Sequence, residues 1–538
     1  MNASHFIVMP VVLPLAVGAA LVAIGRRRAA LAGTLGVASC AALLVLAALL
    51  AARAHEGGAT AVYLLGNWHA VFGVSLVLDR LAALMLVLTA LVGLVCAIYS
   101  RGGDDARGAH FHALLQFQLM GLNGAFLTAD LFNLFVFFEV LLISSYGLLL
   151  HGAGPRRLRA SVHAVTINLT GSALFLIAVS LLYGLAGTLN MAELAARLPH
   201  LGADRAALVR SAAMLLLVVF CLKAALLPLN FWLPSTYAAA TAPVGALFAI
   251  MTKVGVYAVA RMSTLAFGDE GGAAANASQP WLGALALATL ALGAIGALAA
   301  TELRGIVVSV IVVSAGTLLL GIALGSPAGL AAMLFYMVNA TLAAAALFLL
   351  ADRIDRMAQD RSAPASKPAG AIDTRRTAAP AIDEYAACAI LFFVFAVAAA
   401  GLPPLGGFIG KAWLLQAAGA APIAAWAITT LLASALLVLV ALSRSGSRIF
   451  WNPKPLPAGD ASTLPWRGAH RAALASVLVA LVACAVNAGA IGRYVKATAQ
   501  QVFDRRAYMA AVLGAQPVPA AIDVRREMRD RDAAKPQP

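Results

Sequence analysis

Three lysines and one glutamate fall inside apolar stretches long enough to cross a bilayer: Lys223 in AAMLLLVVFCLKAALLPLNFWLP, Lys253 in FAIMTKVGVYAVA, Lys411 in GGFIGKAWLL and Glu139 in LFVFFEVLLISSY. A charge at bilayer depth costs roughly 2.5–3.5 kcal/mol on insertion scales, so such residues mark ion or proton pathways by default. Lysine and glutamate suit a relay because both gain and lose protons. Desolvation disfavours the charged form of each, and pairing the two favours it. A lysine that alternately meets and leaves a carboxylate would hold and release a proton in turn, which arginine, always charged, does not do. The expectation is a buried proton relay of Glu139, Lys223, Lys253 and Lys411, with Lys223 pairing with Glu139. Ser144, Ser145, Asn339, Thr341 and Tyr257 would hold connecting water, with Asn168, Thr252 and Ser314 at similar depth. Against this stands a plainer reading, in which a single lysine snorkels and hydroxyls or amides simply join helices.

Positioning these groups takes a membrane scaffold. Of 538 residues, 62% are hydrophobic and 11% charged, with mean hydropathy +0.90. Soluble domains carry about 25% charged residues, so a water-soluble enzyme is excluded. Apolar runs of about 20 residues recur along the chain, and their continuity excludes an outer-membrane barrel. The fold class expected is an all-α polytopic membrane protein of about fourteen spans. These lie near 5–25, 30–52, 76–99, 109–128, 130–151, 160–183, 207–238, 242–266, 280–300, 303–324, 327–351, 384–416, 421–442 and 470–491. The first run has no basic segment ahead of it and reads as a retained helix rather than a cleaved signal.

Two spans are interrupted. Span seven carries Pro228 and Pro234, and span twelve carries Pro403 and Pro404 within GLPPLGG. Proline lacks a backbone donor and clashes with the preceding turn, so both helices should break there. Paired breaks in corresponding places point to inverted repeats around a midplane pathway. The expected organisation is residues 1–100 as spans one to three, 105–266 as a first five-helix repeat (spans four to eight), and 280–442 as a second (spans nine to thirteen). A linker at 352–383 interrupts the second repeat, and residues 443–538 hold span fourteen and a basic tail.

The net charge of +15 belongs to loops. Arg26, Arg27 and Arg28, the 155–159 loop, the 352–383 linker and the 443–470 loop share one side, which the positive-inside rule makes cytoplasmic and which leaves both termini outside. Nucleic-acid binding is not expected. The five cysteines are scattered through apolar runs, so neither a metal site nor an iron–sulfur cluster is expected. Asp104, Asp105, Asp269 and Glu270 read as solvated loop charges, and Asp130 as a solvated residue at the mouth of span five. Glu302 and Arg304 read as a local pair, and His112 and His163 as interfacial.

Four segments, DLFNLFVFFEVLLISSYGLL, LKAALLPLNFWLPSTYAAATAPVGALFAIMTKVGVYAVAR, LFYMVNATLAAAALFLLADRI and GLPPLGGFIGKAWLL, resemble the antiporter-like family shared by Mrp-type cation/proton antiporters and respiratory complex I. The resemblance is to the D-type subunits of the Mrp branch, and with the span pattern it covers most of residues 60–450. It implies one multi-pass component of a bacterial inner-membrane complex that exchanges Na⁺ or K⁺ for H⁺. Partners would be the A-type and small membrane subunits of that complex, and no cofactor is implied. By motif, Glu139 matches the family's fifth-span glutamate, Lys223 and Lys253 its lysines of spans seven and eight, and Lys411 the ionisable residue of span twelve. Asn339 stands where the family commonly has histidine, and Asn230 and Tyr237 where respiratory relatives often do. The alternative is a proton-pumping membrane-arm subunit of complex I or of a membrane-bound hydrogenase.

Overall fold

The computed structural model describes residues 3–25, 28–362, 382–451 and 468–518. The Ala- and Leu-rich runs form helices α1 (Met9–Ile24), α2 (Ala29–Gly57), α3 (Arg80–Ser100), α4 (Phe111–Leu127), α5 (Leu131–Leu150) and α6 (Pro155–Ala186). A short α7 (Met191–Arg197) precedes α8 (Ala206–Ala224), α9 (Trp232–Ala239), α10 (Ala242–Leu265), α11 (Gln279–Ala299) and α12 (Leu303–Ala323). Then come α13 (Pro327–Ser362), α14 (Ile382–Ala400), α15 (Gly406–Gly419), α16 (Ala424–Phe450) and α17 (Gly468–Val486). Among the described residues, eleven helices are long and apolar enough to cross a membrane. Most of the expected linker (363–381), the middle of the 443–470 loop, Arg26, Arg27 and the tail from 519 onward lie outside the described residues.

Local chemistry sets several helix starts. Asp79 accepts from Ala82 N at 2.8 Å at the head of α3, Asp130 accepts from Asn133 N at 2.8 Å at the head of α5, and Asn190 caps α7. Each satisfies amide donors that have no partner inside the helix. Asp130 is therefore a cap rather than a free charge, and burial pushes its carboxyl above the ordinary range.

Four elements had no counterpart in the sequence reading, the short α7 among them. Between α2 and α3 an antiparallel hairpin pairs β1 (Ala61–Leu64) with β2 (Ser75–Leu78), so the chain is not purely helical. After α17 come α18 (Ala488–Phe503), which packs on α3, α10 and α13, and α19 (Arg505–Leu513), which packs on α7.

Burial identifies the centre. The apolar window of α10 is 100% buried and that of α13 is 94% buried, whereas α2, α6, α16 and α17 are mostly exposed at the perimeter. Polar networks close the two ends. At one end Arg304 binds Asp352 and Asp355, each at 3.0 Å, and Arg356 joins Asp352 to Asp104. At the other Arg261 binds Asp79 at 2.6 Å and Arg505 binds Glu270 at 3.0 Å.

These networks correct two expectations. Arg304 reaches across to α13 and does not pair with Glu302, whose contact is Arg156 at 3.9 Å on the surface. Asp104 is fully buried, because α13 brings Arg356 down onto its loop. Burial first, and the adjacent Asp352 second, hold its carboxyl above the ordinary range against the pull of Arg356 and Arg107.

Candidate functional site

Span seven breaks between α8 and α9, at residues 225–231, and span twelve between α14 and α15, at residues 401–405. Pro228, Pro403 and Pro404 lie in the gaps. Pro234 does not break the chain: it occupies the first turn of α9, where no intrahelical donor is needed. The gaps end helices inside the protein, so their backbone groups need other partners. At the first gap Trp232 Nε1 donates to Leu222 O at 3.2 Å, and Leu227 N donates to Thr289 Oγ1 of α11 at 2.8 Å. At the second, Lys411 Nζ donates to Ala400 O at 2.7 Å and Asn339 Nδ2 to Ala398 O at 3.0 Å.

Lys223 sits in the last turn of α8, buried, with Nζ 3.2 Å from Asn168 O and 3.4 Å from Asn168 Oδ1 on α6. One turn along α6, the Ser172 hydroxyl donates to Glu139 Oε1 and also lies 3.0 Å from Asn168 O. The expected direct pair of Glu139 with Lys223 is therefore absent. Helix α6 stands between α5 and α8 and supplies a partner to each charge, giving a continuous chain of Glu139, Ser172, Asn168 and Lys223. Glu139 itself is only half-buried, on the lateral face.

Lys253 is 0% exposed at the centre of α10, with Nζ 3.2 Å from Thr252 Oγ1. Two residues on, Gly255 lets α10 press against the last turn of α8. A Cβ there would lie 2.4 Å from Ala224 N and 2.8 Å from Lys223 C. Lys411 is buried in the second turn of α15, over Gly401, where φ is +74° and a Cβ would meet the lysine side chain at 2.8 Å. Among the described residues, none of the three lysines has a carboxylate within ion-pair distance. Helix α13, which carries Asn339 and Thr341, packs on both α10 and α15, the helices of Lys253 and Lys411.

The supporting residues divide. Asn339 is buried with its Oδ1 unpartnered, and it faces Gly406 and Gly407, which open α15 just after the second gap. Thr341 Oγ1 donates to Met337 O and Ser145 Oγ to Leu142 O, both within their own helices, and Ser144 is buried beside Ser145. The Tyr257 hydroxyl donates to Phe126 O at 2.7 Å and accepts from Arg261, which ties it to the Asp79 network. Sequence reasoning did not single out Ser172. Its signal was available, since residues 168 and 172 share a helix face at one-turn spacing.

The family model described as NADH:quinone oxidoreductase/Mrp antiporter, transmembrane, matches residues 128–437, a span that contains both gaps and all four charged residues. The chain belongs to this family. Among its relatives, the probable K⁺/H⁺ antiporter D subunit of Rhizobium meliloti (strain 1021) is 41% identical over 535 residues, covering 95% of this chain and 98% of that one. The Na⁺/H⁺ antiporter D subunit of Bacillus subtilis (strain 168) is 35% identical over 461 residues, covering 84% and 89%. In the Mrp complex of Dietzia sp. DQ12-45-1b, one chain superposes with a TM-score of 0.80 at 26% identity, covering 96% of this family member and 100% of that chain.

Proposed function

We propose that this chain is the proton-translocating D-type subunit of a multisubunit Na⁺(K⁺)/H⁺ antiporter in the bacterial inner membrane, working with the A-type and small membrane subunits. Its relay is Glu139, Lys223, Lys253 and Lys411, linked by water and by polar groups of α6 and α13. The observation that carries this reading is the hydrogen-bonded chain from half-buried Glu139 on the lateral face to buried Lys223 at a helix break. A carboxylate at that depth on the perimeter calls for a neighbouring protein to complete its seat, and similarity to named D subunits over 95% and 84% of this chain supports the same assignment.

Organisation into two inverted repeats gains support from equivalent packing. Helix α6 contacts α5, α8 and α9, as α13 contacts α12, α14 and α15. Five spans separate the halves, an odd number that reverses direction across the membrane. The proton path then runs from Glu139 and Lys223 through Lys253 and past Asn339 to Lys411.

The test is exchange in everted vesicles from cells lacking other antiporters, with the complete set of subunits and a pH-gradient dye. Addition of Na⁺ or K⁺ should collapse the gradient. An assembled wild-type complex that gives no cation response overturns the proposal in favour of proton pumping within a redox complex.

A further inference from the structure

Glu139 and Lys223 approach one turn of α6 from two sides, with a single hydroxyl hydrogen between them. We propose that Ser172 and Asn168 are positioning residues that couple the protonation of Glu139 to the seat of the Lys223 ammonium, a role that rests on the antiporter reading above. The serine oxygen has two acceptors in reach, Glu139 Oε1 and Asn168 O, but only one hydrogen to give. When Glu139 is ionised the hydrogen goes to the carboxylate, because a charge-assisted bond is the stronger one. Asn168 O is then left to Lys223 Nζ at 3.2 Å.

When Glu139 takes up a proton, its carboxyl O–H donates to Ser172 Oγ and the serine hydrogen turns to Asn168 O. That carbonyl, which already takes the helix's own amide from residue 172, is now shared between the serine hydroxyl and the ammonium, and its hold on the ammonium weakens. Lys223 then leans more on the longer contact to Asn168 Oδ1 at 3.4 Å and on the Phe138 ring, whose centroid lies 6.0 Å from Nζ. The proton stays on Glu139, no bond to hydrogen breaks at Ser172, and only the hydroxyl rotates. The two states are thus two hydrogen-bond arrangements of the same side chains, reached by rotation of one hydroxyl without movement of a helix.

The second half of the chain supports a specific role for the hydroxyl. There, too, an asparagine meets the helix that ends at the break: the Asn339 side chain of α13 donates to Ala398 O, whereas at the first break the Asn168 carbonyl accepts from Lys223 Nζ. The residue one turn after Asn339 is Ala343, and α12 carries neither Asp nor Glu. The hydroxyl occurs where there is a carboxylate to respond to.

The test is antiport by the complete complex in everted vesicles, comparing Ser172→Ala, Ser172→Thr and Asn168→Leu after assembly is checked. Ser172→Ala should lower the maximal exchange rate about tenfold, the scale set by one hydrogen bond to a charged group. The half-saturating cation concentration should not move, and Ser172→Thr, which restores the hydroxyl, should recover most of the rate. Asn168→Leu should be slower than Ser172→Ala. A Ser172→Ala complex running at the wild-type maximal rate, or a Ser172→Thr complex no faster than it, overturns the inference while leaving the antiporter reading intact. If Ser172→Ala does not assemble, Ser172→Cys decides: an intermediate rate supports the role, and a wild-type rate overturns it. A wild-type complex without exchange overturns the antiporter reading before any variant is compared.

Discussion

At the first helix break the lysine precedes the gap and reaches sideways, from Lys223 to Asn168 of α6; at the second it follows the gap and reaches back, from Lys411 to Ala400 O of the helix segment just ended. Aligning the left-handed residues Ala225 and Gly401, and with them Pro228 and Pro404, sets Lys223 opposite Ala399 and Lys411 opposite Ser235, so the two lysines do not occupy equivalent positions. The backbone of the first gap is closed by neutral groups, Trp232 Nε1 and Thr289 Oγ1, which leaves Lys223 without a structural duty there. In the second gap the lysine is itself a cap. Buried backbone groups must be paired, and two halves of one chain have met that requirement differently, once with neutral side chains, a donor and an acceptor, and once with an ionisable residue.

This difference can be broken by substitution. Lys223→Ala should give the largest effect on transport: exchange abolished in vesicles, with complex assembly and melting temperature close to wild type. Residual cation-dependent exchange in that variant would remove Lys223 from the path. Lys411→Ala should abolish exchange and also destabilise, since Ala400 O is left buried and unpaired at a cost of about 1–3 kcal/mol. Thermal unfolding of the purified complex reads this directly. Lys411→Arg should restore the melting temperature but not exchange, because a guanidinium caps a carbonyl yet keeps its proton; equal stability of the Ala and Arg variants would end the capping argument.

A smaller effect is expected for Gly401→Ala. Its Cβ would crowd the Lys411 side chain in a left-handed backbone conformation, at about 1–2 kcal/mol of stability, with slower exchange and intact assembly. The corresponding left-handed position in the first gap, Ala225 at φ +60°, already carries a Cβ, so Ala225→Gly should relieve the backbone and leave Lys223 in its seat.

The smallest effect lies outside both gaps, in the clip of Arg101, Asp105 and His112 at the start of α4. Burial pushes the Asp105 carboxyl up, but the hydrogen bonds and charges of His112 and Arg101 outweigh it and hold the group below the usual carboxylate range. A group whose folded pKa is depressed contributes stability above its unfolded pKa and loses it as pH falls through the folded value. Asp105→Asn should therefore lower thermal stability slightly at neutral pH and not at all in strong acid. A difference that persists in acid would contradict this ion-pair account.

The apolar runs named nearly every long helix, because a segment that must satisfy its own backbone in lipid has few other conformations. The charged residues and prolines were legible for a related reason: each is costly in that environment, so its presence carries information. The hairpin at 61–78, helices α18 and α19, and the burial of Asp104 were not legible. Short polar or mixed segments carry little periodic signal, and a loop aspartate reads as solvated until the helix that covers it is known. The separation of Glu139 from Lys223 seen here was not legible either, since opposite charges attract in any sequence reading while the interposed α6 is a fact of packing.

Composition and the placement of Glu139, Lys223, Lys253 and Lys411 by themselves determined a membrane-embedded protein with ionisable groups at depth and two interrupted helices, because insertion energetics act on each segment separately. Tertiary structure alone decided who meets whom. Asn168 and Ser172 came to stand between the first two charges, and Lys411 folded back to cap Ala400. Hydrogen bonds fix partners over about 3 Å, and contacts at that distance between remote residues depend on how the helices pack.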